Sequence, residues 1–115
     1  MFSRHASDSY VNVLPGIRIK TLIHGEKTLM SKFRLAAGHQ LPRHRHPNEQ
    51  TGYLISGKIR MTVGDDVRDL APGDSWCIPE GVEHGAEIIE DAVAIEVFSP
   101  VREDYLPENL AKKAS

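Results

Sequence analysis

Three of the chain's six histidines fall at positions 39, 44 and 46, inside a stretch bounded by Gly38 and Gly57. Imidazole nitrogens bind divalent transition ions, and a side-chain carbonyl can add an oxygen, so His44-x-His46 followed by Gln50 raises metal binding as the first chemistry to consider. In an extended strand alternate side chains share a face, which sends His44, His46 and Gln50 one way and Arg45 and Glu49 the other. A third nitrogen is available at His84, closing a second stretch that begins at Gly73. Glu49 is the rival fourth ligand, since a carboxylate binds a dication better than an amide; parity turns it away unless Pro47 introduces a bulge. His39 lies off the even-numbered face, and His5 and His24 have terminal or turn contexts without partners. Cys77 reads as a small buried hydrophobe, because no histidine is placed beside it by a recognisable pattern.

These residues need a scaffold of short strands, and the chain supplies one. At 115 residues, with 40% hydrophobic and 26% charged, it suits one domain spanning 1–115, with a core over about 10–100 and a tail from 101. Tyr10 to Val13 is a short strand. Ile17–Ile23 alternates apolar with polar at the strand period, Leu29–Leu35 does so less cleanly, and residues 24–27 between them read as a hairpin turn. Thr51–Ile55 and Lys58–Val63 are expected to form a strand pair around Ser56-Gly57, with further strands at Ser75–Ile78, Ala86–Ile89 and Ala92–Phe98. Spacing this regular predicts an all-β barrel or sandwich. A short helix is expected from about Pro107, with proline and glutamate early and lysines late. In Ala92–Phe98 the larger aliphatics Val93, Ile95 and Val97 share one face, which leaves Glu96 among Ala92, Ala94 and Phe98. A carboxylate there is costly unless it reaches solvent or a polar cavity.

A formal charge of −2 with interspersed signs gives no footprint for nucleic acid and no polybasic membrane patch. No apolar run approaches a membrane span or a secretory core, and one cysteine forms no internal disulfide. The expectation is a cytoplasmic protein with a small-molecule partner, paired as a homodimer through the apolar edge at Ile17–Ile23 and the C-terminal tail.

Together the two glycine-bounded stretches resemble the paired motifs of the cupin superfamily, matching at Gly38, His44, His46, Gln50, Gly57 and then at Gly73, Pro79, Gly81 and His84. Gln50 stands where glutamate is usual, and Ile88 where asparagine is frequent. The resemblance implies a double-stranded β-helix, the cupin jelly-roll barrel, and one divalent transition metal per chain (Ni, Zn, Fe or Mn) held by His44, His46, Gln50 and His84.

The stretch from Glu96 to Leu106 further resembles small cupins of the pectin-degradation type, the KdgF family, which open the ring of 4,5-unsaturated monouronates. This resemblance implies a substrate pocket bearing Glu96, Phe98 and Arg102, with Glu96 in place of the family's usual aspartate. Glu96 is then expected to transfer a proton and Arg102 to hold a substrate oxygen, the alternative for Arg102 being a surface ion pair with Glu103 or Asp104. Three neutral imidazoles and a neutral amide would leave a dication its full charge, which favours Lewis-acid chemistry. A cupin dioxygenase and a non-catalytic sugar-binding cupin are the alternatives.

Overall fold

The structure, a computed structural model, describes residues 1–114. Its backbone is eight antiparallel strands: β1 (Val11–Leu14), β2 (Ile17–His24), β3 (Leu29–Leu35), β4 (Gln40–His44), β5 (Glu49–Val63), β6 (Asp66–Leu70), β7 (Ser75–Ile78) and β8 (His84–Ser99). Two of them organise the rest. β5 and β8 pair along their whole lengths, from Glu49 opposite Ser99 to Val63 opposite His84. The C-terminal half of β8 also pairs with β3, which leads to β2 and β1, while β7 pairs with the N-terminal half of β5. The other halves pair with β4 and β6. The two long strands thus bend from one sheet into the other and close a jelly-roll barrel, the double-stranded β-helix expected from the sequence.

The expected strand pair at 51–55 and 58–63 is instead one fifteen-residue strand. Ser56-Gly57, which reads locally as a turn, is a set of bulges opposite residues 90–93. The bulges change the phase of the strand. Gln50, Gly52 and Leu54 face inward before them and Ile59 and Met61 after them, so inward positions switch from even to odd and both halves still face the core. Gly57 has φ +86, and a Cβ there would run into the Asp91 carbonyl and Ala92. The segments 86–89 and 92–98 are likewise one strand.

The interior is filled by Ile17 and Ile19 from β2, Leu29 and Phe33 from β3, Leu54 and Ile59 from β5, Ile78 from β7 and Phe98 from β8. On β8 the small residues face inward and Val93, Ile95 and Val97 face outward, half buried. Beyond a cis Ser99–Pro100 bond the tail forms a 3-10 turn (Glu103–Tyr105), a helix α1 (Pro107–Leu110) and a second 3-10 turn (Ala111–Ala114). Buried Tyr105 and Leu110 fix it to the barrel, and the Thr21 hydroxyl donates to the Tyr105 carbonyl. Among the described residues no helix is long and apolar enough to cross a membrane.

Gly57→Ala should therefore cost at least about 1–3 kcal/mol in urea unfolding, because it combines a left-handed backbone with a backbone clash. Gly25→Ala, with open space around the position, should stay within about 0.5 kcal/mol of the parent. Equal stabilities for the two variants would mean that the bulge is not a fixed feature.

Candidate metal centre

His44, His46 and His84 do not come from one strand and its neighbour. β4 ends at His44, the chain bends through 45–48, and β5 begins at Glu49, so the single extended segment assumed for His44, His46 and Gln50 is interrupted. The histidines converge nonetheless. The pairing of His44 with His84 joins β4 to β8, and the Gly81 N–H donates to the His46 carbonyl at 2.9 Å. On the outside Glu83 accepts from both Arg43 and Arg45, tying the loop before His84 to the residues flanking His44. Such exposed pairs contribute little energy but restrict where the loops sit.

One ligand atom from each histidine lies within 4.8 Å of the others. Each ring is also set in the same tautomer by a backbone carbonyl two residues away. Nδ1 lies 2.8 Å from the Pro42 carbonyl in His44, 3.0 Å from the Asn48 carbonyl in His46, and 2.8 Å from the Val82 carbonyl in His84. A carbonyl only accepts, so each Nδ1 carries the proton and each Nε2 is left with a lone pair. His84 Nε2 is buried with no hydrogen-bond partner. Gln50 Oε1 lies 3.0 Å from His46 Nε2, an acceptor facing an acceptor, because the Gln50 Nε2 group donates to Glu96 Oε2 at 2.6 Å. Lone pairs turned on one another and an orphaned ring nitrogen are what a cation would satisfy, and the donor set suits a divalent transition metal. Burial holds the His84 pKa down at about 4, and burial and then Arg102 lower that of His46, so both rings are neutral and ready to ligate near pH 7.

Gln50 is buried and Glu49 exposed, so the amide rather than the carboxylate accompanies the histidines. His39 lies elsewhere, exposed and against Gly16. Cys77, expected to be buried, is exposed on the outer face of β7. Ile88 is part of the core.

Glu96 does not reach solvent; it is 4% exposed. Burial raises its pKa to about 8 against the pull of its two donors, Gln50 and the Trp76 indole N–H, the latter 3.1 and 3.3 Å from its two oxygens. Glu96, Phe98 and Arg102 line one small cavity, about 40 Å³, together with His44, Gln50 and His84. Arg102 closes it. Its guanidinium lies 3.9 Å from the Tyr105 ring centroid and 5.3 Å from that of Phe98, and its Nε donates to Asp104 at 3.0 Å. The ion pair considered from sequence is therefore present, and the same side chain faces the site.

Three contributors escaped sequence reasoning. Asn48 sits in the His46 loop and donates to the Pro100 carbonyl at 2.7 Å, joining the site to the exit of β8. Tyr105 supplies the platform for Arg102. Trp76, the chain's one tryptophan, shares an inward face with Ile78, a parity that is visible in the sequence although its partner is not.

Residues 31–99 match the Cupin_2 cupin-domain family, well over half of the chain. The chain is a cupin. It is 28% identical over 93 residues to the pectin degradation protein KdgF of Dickeya dadantii, covering 79% of this cupin and 84% of that protein. The solved structure of KdgF from a Halomonas species superposes with a TM-score of 0.87 at 30% identity, covering 92% of this chain and 98% of that one. An RmlC-like cupin from Shewanella frigidimarina superposes at 0.86 with 27% identity, covering 91% and 95%.

Removing two imidazoles at once should abolish the site. Metal analysis by mass spectrometry should give about one equivalent of divalent metal for the parent cupin and for His39→Ala, and none for His44→Ala/His46→Ala. Unchanged metal content in the double variant would place the site elsewhere.

Proposed function

We propose that this cupin opens and ketonises the ring of 4,5-unsaturated monouronates, with His44, His46, Gln50 and His84 holding one divalent metal. The observation that carries the reading is the cavity in which His44, His84 and Gln50 meet a buried carboxyl group and a guanidinium. Arg102 is a cation beside a cation-binding site, an arrangement that is favourable when an anion lies between the two. The likeness to KdgF, named for pectin degradation, makes a uronate the natural anion.

The reaction is an isomerisation that needs no oxidant, reductant or water. The anomeric hydroxyl gives up its proton, the bond from C1 to the ring oxygen breaks, and its electron pair stays on that oxygen as an enolate beside the carboxylate. A proton then arrives at C4, giving an α-keto acid. A bound dication would supply Lewis acidity toward the carboxylate and the developing enolate. Arg102 holds the carboxylate by charge-assisted hydrogen bonds, Glu96 moves the proton between hydroxyl and carbon, and Phe98 forms the wall. A cavity of about 40 Å³ has space for little more than one water molecule, so a uronate enters as Arg102 swings off Phe98 and Tyr105.

Ile17–Ile23 is not the free edge expected from the sequence, because β2 pairs with both β1 and β3 and Ile17 and Ile19 lie in the core; the outer sheet face supports pairing with a second copy instead. Tyr53 lies opposite Ile95, and Met30 opposite Val97, on a surface where Tyr53 is 50% and Ile55 44% exposed. Light scattering should show a dimer for the parent cupin and a monomer for Ile95→Glu with an unchanged circular-dichroism spectrum; a monomeric parent at high concentration would rule the pairing out.

Activity is tested by following the ultraviolet absorbance of the double bond with unsaturated galacturonate and mannuronate at saturating metal. Glu96→Gln should lower kcat by about 10²–10⁴, and Arg102→Ala should chiefly raise KM. Near-normal turnover in Glu96→Gln removes that residue from the chemistry. A parent cupin that binds the uronate yet leaves the double bond intact is a binding module, and iron-dependent oxygen consumption would instead mark a dioxygenase.

A further inference from the structure

We infer that Trp76 is a positioning residue for the metal centre: reaching across Gly52, its indole N–H anchors the Glu96 carboxyl group, which turns the Gln50 amide so that its oxygen faces the histidines. The inference rests on the metal reading above and concerns how the fourth ligand is aimed.

Gly52 pairs with Trp76 on one side and with Glu96 on the other, so the three residues form one row across β7, β5 and β8. All three point inward, and a Cβ on Gly52 would run into the indole ring. The missing side chain is therefore the gap through which Trp76 reaches a residue two strands away. At the far end Glu96 offers two oxygens. One accepts the Gln50 amide at 2.6 Å, and the indole N–H lies within 3.3 Å of both.

The amide of Gln50 has two ends of similar shape and opposite polarity. Turned over, its NH2 would donate to the His46 Nε2 lone pair and occupy a nitrogen that a metal needs. The same turn would take the amide N–H away from Glu96 Oε2, the oxygen that accepts it, and set the amide oxygen there instead. Glu96 thus decides the orientation of the amide, and Trp76 decides the position of Glu96. The acceptor behind the amide also polarises its carbonyl and strengthens it as a ligand, the counterpart of the outer partners that back metal-bound imidazoles. A ligand set of neutral groups is thus aimed by a buried acid outside it.

Zinc titration of the metal-stripped protein, with nitrogen–proton NMR of the Trp76 indole and the Gln50 side-chain amide in the metal-free state, tests this. Glu96→Gln should weaken zinc binding by about 10–100-fold, the usual effect of losing such an outer partner. Trp76→Phe keeps an aromatic body, removes the N–H, and should weaken binding by up to about tenfold. In the double variant the oxygen of the substituted amide no longer has to serve the indole and can accept from Gln50, so the combined loss should be smaller than the product of the two. Losses that multiply, or Trp76→Phe binding zinc as tightly as the parent, would overturn the inference in favour of simple space filling. A parent protein that takes up no zinc would sink the metal reading instead. The hydrogen-bond chain is judged separately, since both NMR signals should move in Glu96→Ala, and signals that stay put would refute it.

Discussion

A carboxylate buried inside a β-barrel is stable only if the barrel brings donors to it. Glu96 lies on the inward face of β8, where its neighbours in the strand are alanines and Phe98, and the two groups that answer it come from β5 and β7. That need explains several otherwise separate features. A glycine at position 52 lets an indole lie across a strand, and an amide at position 50 meets the Glu96 acceptor with its NH2 while keeping its oxygen for the histidines. Glutamate at position 50 would bring a second acceptor to Glu96 where the present amide brings a donor. The departure from the motif's usual glutamate and the presence of Glu96 are two sides of one electrostatic arrangement.

Much of the centre was legible in the sequence because residue type and spacing carry it. His44, His46 and His84 were paired by two glycine-bounded stretches, and Gln50 was preferred to Glu49 on parity. Parity holds only along one extended strand, whereas the backbone bends between His44 and Gln50; the side chains still converge because the bend at 45–48 is closed by a backbone bond from Gly81. Trp76 was out of reach for a different reason. Its role depends on a row across three strands, and cross-strand registers are set by bulges and long-range pairing that no local window contains.

Ser56-Gly57 shows the same limit at the level of the fold. Locally the pair has the composition of a hairpin turn, and the flanking segments each alternate correctly. The change of inward parity from Leu54 to Ile59 does not separate the two readings, since a two-residue hairpin turn would pair Leu54 with Ile59 on one face and a bulge shifts the phase in the same way. The identities of the strands were thus readable, but their continuity was not. Continuity is what allows β5 and β8 to belong to both sheets and to carry Gln50, His84 and Glu96 on one shared ladder.

The groups around the cavity belong to two structural regimes. The histidines, Gln50 and Glu96 are carried by the barrel and the loops bonded to it, whereas Arg102 stands at the root of a tail fastened by Tyr105, Leu110 and one hydroxyl from β2. Substitutions in that tail can reshape the mouth without disturbing a single ladder bond of the barrel. Selection therefore has separate handles on the two tasks, and descendants of such a chain can change what they admit while inheriting the same inner chemistry.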